Sequence, residues 1–241
     1  MTVVVIAAMR EEASAVAALA DSIESEVETP TGVVWTGFID GEALLVVQSG
    51  VGLVNAASAA TAVLESLDLT EPVTVISAGS AGGVGDTVSV GDVVVAAATL
   101  HGDADARAFG YALGQVPGMP ARYDAPDGLV RAASNAIAGA GYPTHSGVVV
   151  STDSFVAPVR ARSIRDNFAG TLAVDMESAA IAQVAYRYQV PFISVRAISD
   201  LADQETGDVF DANIDDAAAR SAHVVVSIIR GLYLEDESSG A

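Results

Sequence analysis

Short apolar runs of strand length recur along the chain, and most give way to a glycine or an acid and then to a stretch with helical spacing. Residues 2–9, 73–78, 92–97, 148–150, 172–177 and 192–200 are such runs, rich in Val, Ile and Ala. Near-continuous apolar strands are the mark of a sheet covered on both faces, and their alternation with helices is that of a mostly parallel α/β sheet. The helical stretches are expected at 11–20, with Val16 and Leu19 on one side, from Gly50-Val51-Gly52 to about 67, and at 128–140, 178–188 and 212–233. Asp40-Gly41 between runs 33–39 and 42–48 reads as a hairpin turn.

At 241 residues the chain has the length of one large domain with a sizeable core. A hydrophobic content of 51% excludes a disordered chain. No apolar stretch reaches the roughly 18 residues of a membrane span, and no basic, cleavable leader is read at the start, so the cytoplasm is the expected location. The net charge of −20 argues against nucleic acid and against anionic membrane surfaces as partners. All 11 basic residues are arginine; G+C-rich codon usage accounts for that more simply than halophilic adaptation. With no cysteine there are no disulfides or thiolate metal sites. The acidic tail, 235–241, is expected to fray from a domain spanning 1–234.

Three carboxylates stand where apolar runs end: Glu12 after the first, Glu177 closing the fifth and Asp200 closing the last. Ligands of open α/β sheets bind outside the carboxyl ends of the strands. Acids delivered to one such edge suit acid–base work on a small molecule, one serving as base and another as acid. The stretch from His101 to about residue 127 has no periodicity but holds Phe109, Tyr111 and Tyr123, which suggests a binding loop. His145 and His223 lack partners at metal-ligand spacing, so no metal is expected.

Six segments in order, Ala8-Met9-Arg10-Glu11-Glu12, Ser49-Gly50-Val51-Gly52, Gly79-Ser80-Ala81-Gly82-Gly83, Ala108-Phe109-Gly110-Tyr111, Val174-Asp175-Met176-Glu177 and Arg196-Ala197-Ile198-Ser199-Asp200, resemble the 5'-methylthioadenosine/S-adenosylhomocysteine nucleosidase family of the nucleoside phosphorylase superfamily. The resemblance covers nearly the whole chain. It implies a single-domain three-layer α/β sandwich with a central twisted mixed sheet flanked by helices. It also implies hydrolysis of the N-glycosidic bond between adenine and a 5-thioribose, with no cofactor.

By that resemblance Asp200 is the acid that protonates adenine N7, oriented by Ser199, and burial must raise its pKa for it to work near neutrality. Glu12 is the base for water, and Glu177 holds the ribose hydroxyls with Met176 packed on the sugar. Residues 79–83 are read as a turn whose backbone approaches the ligand, bringing Ser80, Ala81 and Gly82 to it. Phe155 and Val156 would meet adenine; Met9, Val51 and Phe210 would line the site, the last two around the 5'-alkylthio group. Phe109, Tyr111 and Pro117 would reach the partner's site in a homodimer.

Several positions depart from the family pattern. Arg10 stands among acids and is expected to face solvent, Asp175 replaces a glutamate, and His101 is displaced by one place and carries no role. Phosphorylases carry a phosphate-holding arginine two positions before the Gly-Ser pair; here the residue is Ser77, which favours water as acceptor.

The residues by themselves leave other readings open. Asp200 fits a helix N-cap, Glu12 a favourable charge at a helix N-terminus, and Glu177 a surface ion pair. A phosphorylase of the same fold, a metal-dependent phosphoesterase and a non-catalytic nucleoside-binding protein are the competing functions.

Overall fold

The first apolar run forms the middle of the sheet. In the computed structural model, which describes residues 1–202 and 206–239, β1 (Thr2–Ala7) has parallel neighbours on both sides, β4 (Glu42–Gln48) and β5 (Val73–Gly83). Its residues alternate between two cores: Val3 and Val5 join one apolar cluster, Val4 and Ile6 the other, the period of two that a strand imposes. Beyond β4 the sheet continues antiparallel through β3 (Gly32–Ile39) to an edge strand, β2 (Ser22–Thr29). Asp40 and Gly41, joining β3 to β4, both have positive φ, 50° and 83°, the sign pattern of a type I′ hairpin turn.

On its other side β5 pairs with two strands. It lies parallel to β10 (Phe192–Leu201) and, at Gly82 and Gly83, antiparallel to β9 (Thr171–Asp175). β10 pairs with β6 (Val93–His101), β6 with β8 (Thr144–Ser151), and β8 with β9. The strands β5, β10, β6, β8 and β9 therefore close on themselves, while β1, β4, β3 and β2 leave β5 as an open wing. β7 (Tyr123–Asp124) adds a short antiparallel rung to β6.

Helices α1 (Arg10–Ala17), α3 (Asp127–Gly139) and α6 (Thr206–Ser239) cover one face, α2 (Leu53–Glu65) and α5 (Ser178–Tyr188) the other. Val16, Ile137 and Ile228 meet the sheet on the first face, Leu64 and Ile181 on the second. This is the expected α/β arrangement, a mixed sheet between helical layers. Full burial of each such aliphatic side chain stabilises the fold by about 1.5–3 kcal/mol. α4 (Pro158–Asn167) packs Ala161 and Ile164 over the closed end of the sheet.

Three elements differ from the sequence expectation. Residues 79–83 are not a turn but the last part of β5, because β10 pairs alongside as far as Gly83. The sequence also indicates neither β2 nor α4. β2 is an edge strand exposed along most of its length and studded with Glu24, Glu26 and Glu28, the charged edge that resists unwanted pairing. α4 buries too few residues to show a periodic apolar face. Of the acidic tail, α6 takes in residues to Ser239, and Gly240 and Ala241 lie outside the described residues. Among the described residues no helix is long and apolar enough to cross a membrane.

Candidate active site

The ends of β1, β5, β9 and β10 and the start of α2 converge on a cavity of about 240 Å³. Glu12, Glu177 and Asp200 all line it. So do Ser80, Ala81 and Gly82 from β5, Met9 and Met176 beside the first two acids, and Ser199 next to Asp200. Val51, Phe155, Val156 and Phe210 complete the apolar side, with the rings of Phe155 and Phe210 edge to face at 6.1 Å. The sequence thus brings to one cavity every residue assigned to the subunit's own site.

Glu12 is the third residue of α1 and only 2% exposed. Its Oε2 accepts the backbone N–H groups of Ala8 and Met9, each at 3.1 Å, as a carboxylate at a helix start does. Its Oε1 crosses to β5 and accepts the N–H and hydroxyl of Ser80 at 2.8 and 2.9 Å. The helix-start role and the site role therefore belong to the same side chain. Gly79 makes the crossing possible: at φ +148° it holds its backbone against the acid, and a β-carbon there would lie 2.6 Å from Glu12 Oε1. Arg10 turns away, as expected, to pair with Glu26 at 2.8 Å.

Asp200 lies within β10, not at a helix start, and is 3% exposed. The β5–β10 register shifts between Ile198 and Asp200, setting Asp200 opposite Gly82; such a bulge re-aims side chains. Burial pushes the carboxyl above its ordinary range, while the Ser199 hydroxyl, donating to Oδ2 at 2.9 Å, pulls it down. Burial outweighs the hydroxyl, so the net shift is upward.

Glu177 sits between β9 and α5 and is 5% exposed, so it is not a surface ion pair. Gly52 N–H donates to its Oε1 at 3.0 Å from the start of α2. Burial lifts the carboxyl to about 7, helped by the charges of Asp175 and Glu12 and opposed by Arg196 and the Gly52 N–H.

Under these acids lies a residue to which sequence reading gave no role. Arg196, 1% exposed, points from β10 beneath Gly79. Its Nη2 is 2.9 Å from Asp175 Oδ2, 3.7 Å from Glu177 Oε2 and donates to Ser77 Oγ at 2.7 Å. A signal was present: an arginine inside an apolar strand is buried only if paired. Asp175, Ser154, Val174, Ala8 and Ala202 also line the cavity without having been assigned to it.

Phe109, Tyr111 and Pro117 do not line this subunit's cavity, and Phe109 is 83% exposed on a 3₁₀ turn, Arg107–Phe109. The loop is anchored where it leaves β6: His101 Nε2 and the Tyr123 hydroxyl both reach Gln183 Oε1, at 2.9 and 3.1 Å. His145 pairs with Asp92 at 2.9 Å, and His223 is exposed. Among the described residues no group of three or more His, Cys, Asp or Glu side chains is placed to hold a metal ion.

The family described as the Phosphorylase superfamily matches residues 2–230. The chain is 40% identical over 236 residues to a 5'-methylthioadenosine/S-adenosylhomocysteine nucleosidase of Bacillus cereus, covering 96% of this chain and 100% of that protein. Among solved structures it resembles the Neisseria meningitidis enzyme of the same name in complex with methylthio-immucillin-A, with a TM-score of 0.89 and 38% identity over 95% of this chain and 98% of that one. It also resembles the S-adenosylhomocysteine nucleosidase of Streptococcus pyogenes in complex with 5-methylthiotubericidin, with a TM-score of 0.90 and 36% identity over 96% of this chain and 97% of that one.

Proposed function

Because the chain belongs to the 5'-methylthioadenosine/S-adenosylhomocysteine nucleosidase family of the Phosphorylase superfamily, we propose a residue-by-residue course for the reaction its site performs. The enzyme hydrolyses the N-glycosidic bond of 5'-methylthioadenosine and S-adenosylhomocysteine, releasing adenine and the 5-substituted ribose. The observation that carries the course is one cavity holding three buried carboxylates, with Asp200 and Glu177 both pushed towards their protonated forms.

Asp200 gives its proton to adenine N7 as the bond from C1′ to N9 breaks, so the electron pair leaves with a neutral base. Glu177 accepts hydrogen bonds from the ribose hydroxyls, and its ionised form supports the positive charge that develops on the sugar. Water adds to C1′ and yields its proton to Glu12, which lines the cavity beside Ser80, the donor to its Oε1. Phe155 and Val156 flank the adenine, and Val51 and Phe210 the 5' substituent. Ser77 supports water over phosphate as acceptor: the position where phosphorylases carry a cation is a hydroxyl already taken by Arg196.

The protein works as a homodimer in the cytoplasm, in methionine salvage, and accepts 5'-deoxyadenosine as well. In that dimer Phe109, Tyr111 and Pro117 cover the partner's 5' pocket; the exposure of Phe109 supports this. Phe109→Ala is expected to raise KM with kcat little changed, and unaltered kinetics in a dimer established by light scattering would count against the loop's role.

Adenine release from methylthioadenosine, with and without phosphate and in the presence of chelator, tests the reaction. Equal release with free methylthioribose is expected. A requirement for phosphate would make the enzyme a phosphorylase, and loss in chelator would implicate a metal.

A further inference from the structure

We propose that Asp175 is a positioning residue for this hydrolysis, acting through Arg196 to keep the guanidinium off Glu177 and beneath Gly79, beside Glu12. The proposal rests on the roles assigned above to Glu12 and Glu177.

Asp175 lies at the cavity wall, yet its side chain is 1% exposed and its oxygens are already engaged. Oδ1 accepts the hydroxyl of Ser151, and Oδ2 accepts the hydroxyl of Ser178 and faces Arg196 Nη2 at 2.9 Å. A carboxylate so occupied acts on its neighbours, not on a ligand.

Arg196 has two anions within reach of the same nitrogen, and the geometry separates them: Asp175 is in hydrogen-bond contact, whereas Glu177 stands off at 3.7 Å. Serines reinforce the choice. Ser178 Oγ accepts from Arg196 Nη2 at 3.0 Å, Ser77 Oγ accepts from it at 2.7 Å, and the Ser178 and Ser194 hydroxyls are 2.7 Å apart. Nη1 donates to Ala78 O at 3.3 Å and, like Glu12 Oε1, lies against Gly79 where a β-carbon would stand.

Take away the charge of Asp175 and the strongest remaining anion for Nη2 is Glu177. A closed ion pair there would occupy a carboxylate oxygen that the ribose hydroxyls need and would draw the guanidinium from Glu12. Charged and polar groups face Glu177 from every side: Arg196 on β10, Asp175 on β9, Glu12 on α1 and the Gly52 N–H at the start of α2. Asp175 raises the Glu177 pKa and Arg196 lowers it, so both consequences of the substitution move Glu177 the same way, towards ionisation at lower pH.

The test is the pH dependence of kcat/KM for adenine release from methylthioadenosine by wild type and Asp175→Asn. In wild type the acid limb is expected near the Glu177 value of about 7. In Asp175→Asn the limb is expected to move to lower pH, with kcat/KM on the plateau down about 10–100-fold. Asp175→Glu keeps the charge at that position, and its limb should stay near that of the wild type. A purely structural role would lower stability and leave the limb in place, and a folded Asp175→Asn enzyme with an unmoved limb overturns the proposal. If Asp175→Asn does not fold, Ser178→Ala decides: it keeps every charge but deletes the hydroxyl between Arg196 and Asp175. A shifted limb in that variant supports the proposal, and a wild-type profile overturns it. Absence of adenine release by the wild type would overturn the functional reading and the proposal with it.

Discussion

Gly79→Ala is the sharpest single perturbation of this site, because one added carbon meets both halves of the charged cluster. The new β-carbon would stand 2.6 Å from Glu12 Oε1 and 2.7 Å from Arg196 Nη1, where unstrained contact needs about 3.5 Å. Neither neighbour yields easily. Glu12 accepts from Ala8, Met9 and Ser80, and Arg196 is tied to Ser77, Ser178 and Asp175. A non-glycine residue at φ +148° adds backbone strain of about 1–3 kcal/mol. Overpacking adds roughly as much again. A sum of about 4 kcal/mol corresponds to a fall in Tm of roughly 8–16 °C for a chain of this length.

Relief of the clash requires Glu12 or Arg196 to move by most of an ångström, and a displacement of that size costs about 100-fold in rate. The expected result is therefore a kcat about 100-fold lower, measured well below the reduced Tm, with KM changed only a few-fold because the adenine side of the cavity is untouched. Adenine release at saturating methylthioadenosine and scanning calorimetry give both numbers. Wild-type kcat alongside a lowered Tm would refute the idea that the placing of Glu12 and Arg196 sets the rate. Wild-type values of both would refute the packing argument itself.

Asp200→Asn is expected to cost about 10²–10⁴ in kcat without loss of Tm at pH 7, and wild-type turnover would remove it from the mechanism. The sign follows from burial. A carboxyl raised on folding contributes stability that is full below its unfolded pKa of about 3.9 and is lost as pH rises through the folded value, a loss the neutral amide escapes. Glu12→Gln must turn its NH₂ towards either the Ala8 and Met9 N–H groups or Ser80, at about 1–3 kcal/mol. Calorimetry should show a lower Tm and near-normal binding of a non-hydrolysable substrate analogue, with turnover lost; unchanged kcat would contradict the base role. Glu177, raised to about 7, should make kcat/KM fall as pH drops below 7, while its contribution to stability is lost as pH climbs from its unfolded value of about 4 to about 7. A kcat/KM flat from pH 5 to 8 would show that the ionised carboxylate is not required.

The strands of the closed ring and of the parallel centre were legible because burial on both faces writes them as unbroken Val and Ile. β2 was not, since its exposed edge carries alternate glutamates, and neither was α4, which buries little more than Ala161 and Ile164. Glu12, Glu177 and Asp200 stood out because acids at the ends of apolar runs are conspicuous, and their flanking motifs carried the family resemblance. The full extent of β5 is not legible, because glycines at 79–83 signal a turn locally, whereas pairing with β10, about 115 residues later in the chain, keeps them extended. Arg196 and Asp175 were visible as residues but not as a pair. Nothing in the spacing says that β9 and β10 bring them to 2.9 Å across the ring, with Ser77 and Ser178 closing the shell.

That shell bears on how the site gains rate. One guanidinium among three buried carboxylates is not an efficient way to stabilise a fold, since apolar residues of similar volume often do as well or better than buried ion pairs. Its value lies in charge that is poorly compensated. Glu12, Glu177 and Asp175 outnumber the one guanidinium, Arg196, and burial, aided by the charges of Asp175 and Glu12, lifts Glu177 to about 7. A neutral nucleoside entering the cavity relieves little of that excess. A ribose that turns cationic offsets one charge of it, at the atoms nearest Glu177 and the water assigned to Glu12. Interactions that strengthen only as the sugar charge develops lower the barrier without tightening the ground state. The same logic explains why Arg196 is held by Asp175 at 2.9 Å and kept 3.7 Å from Glu177: a guanidinium closed onto Glu177 would neutralise, before the reaction begins, the charge that the transition state is there to use.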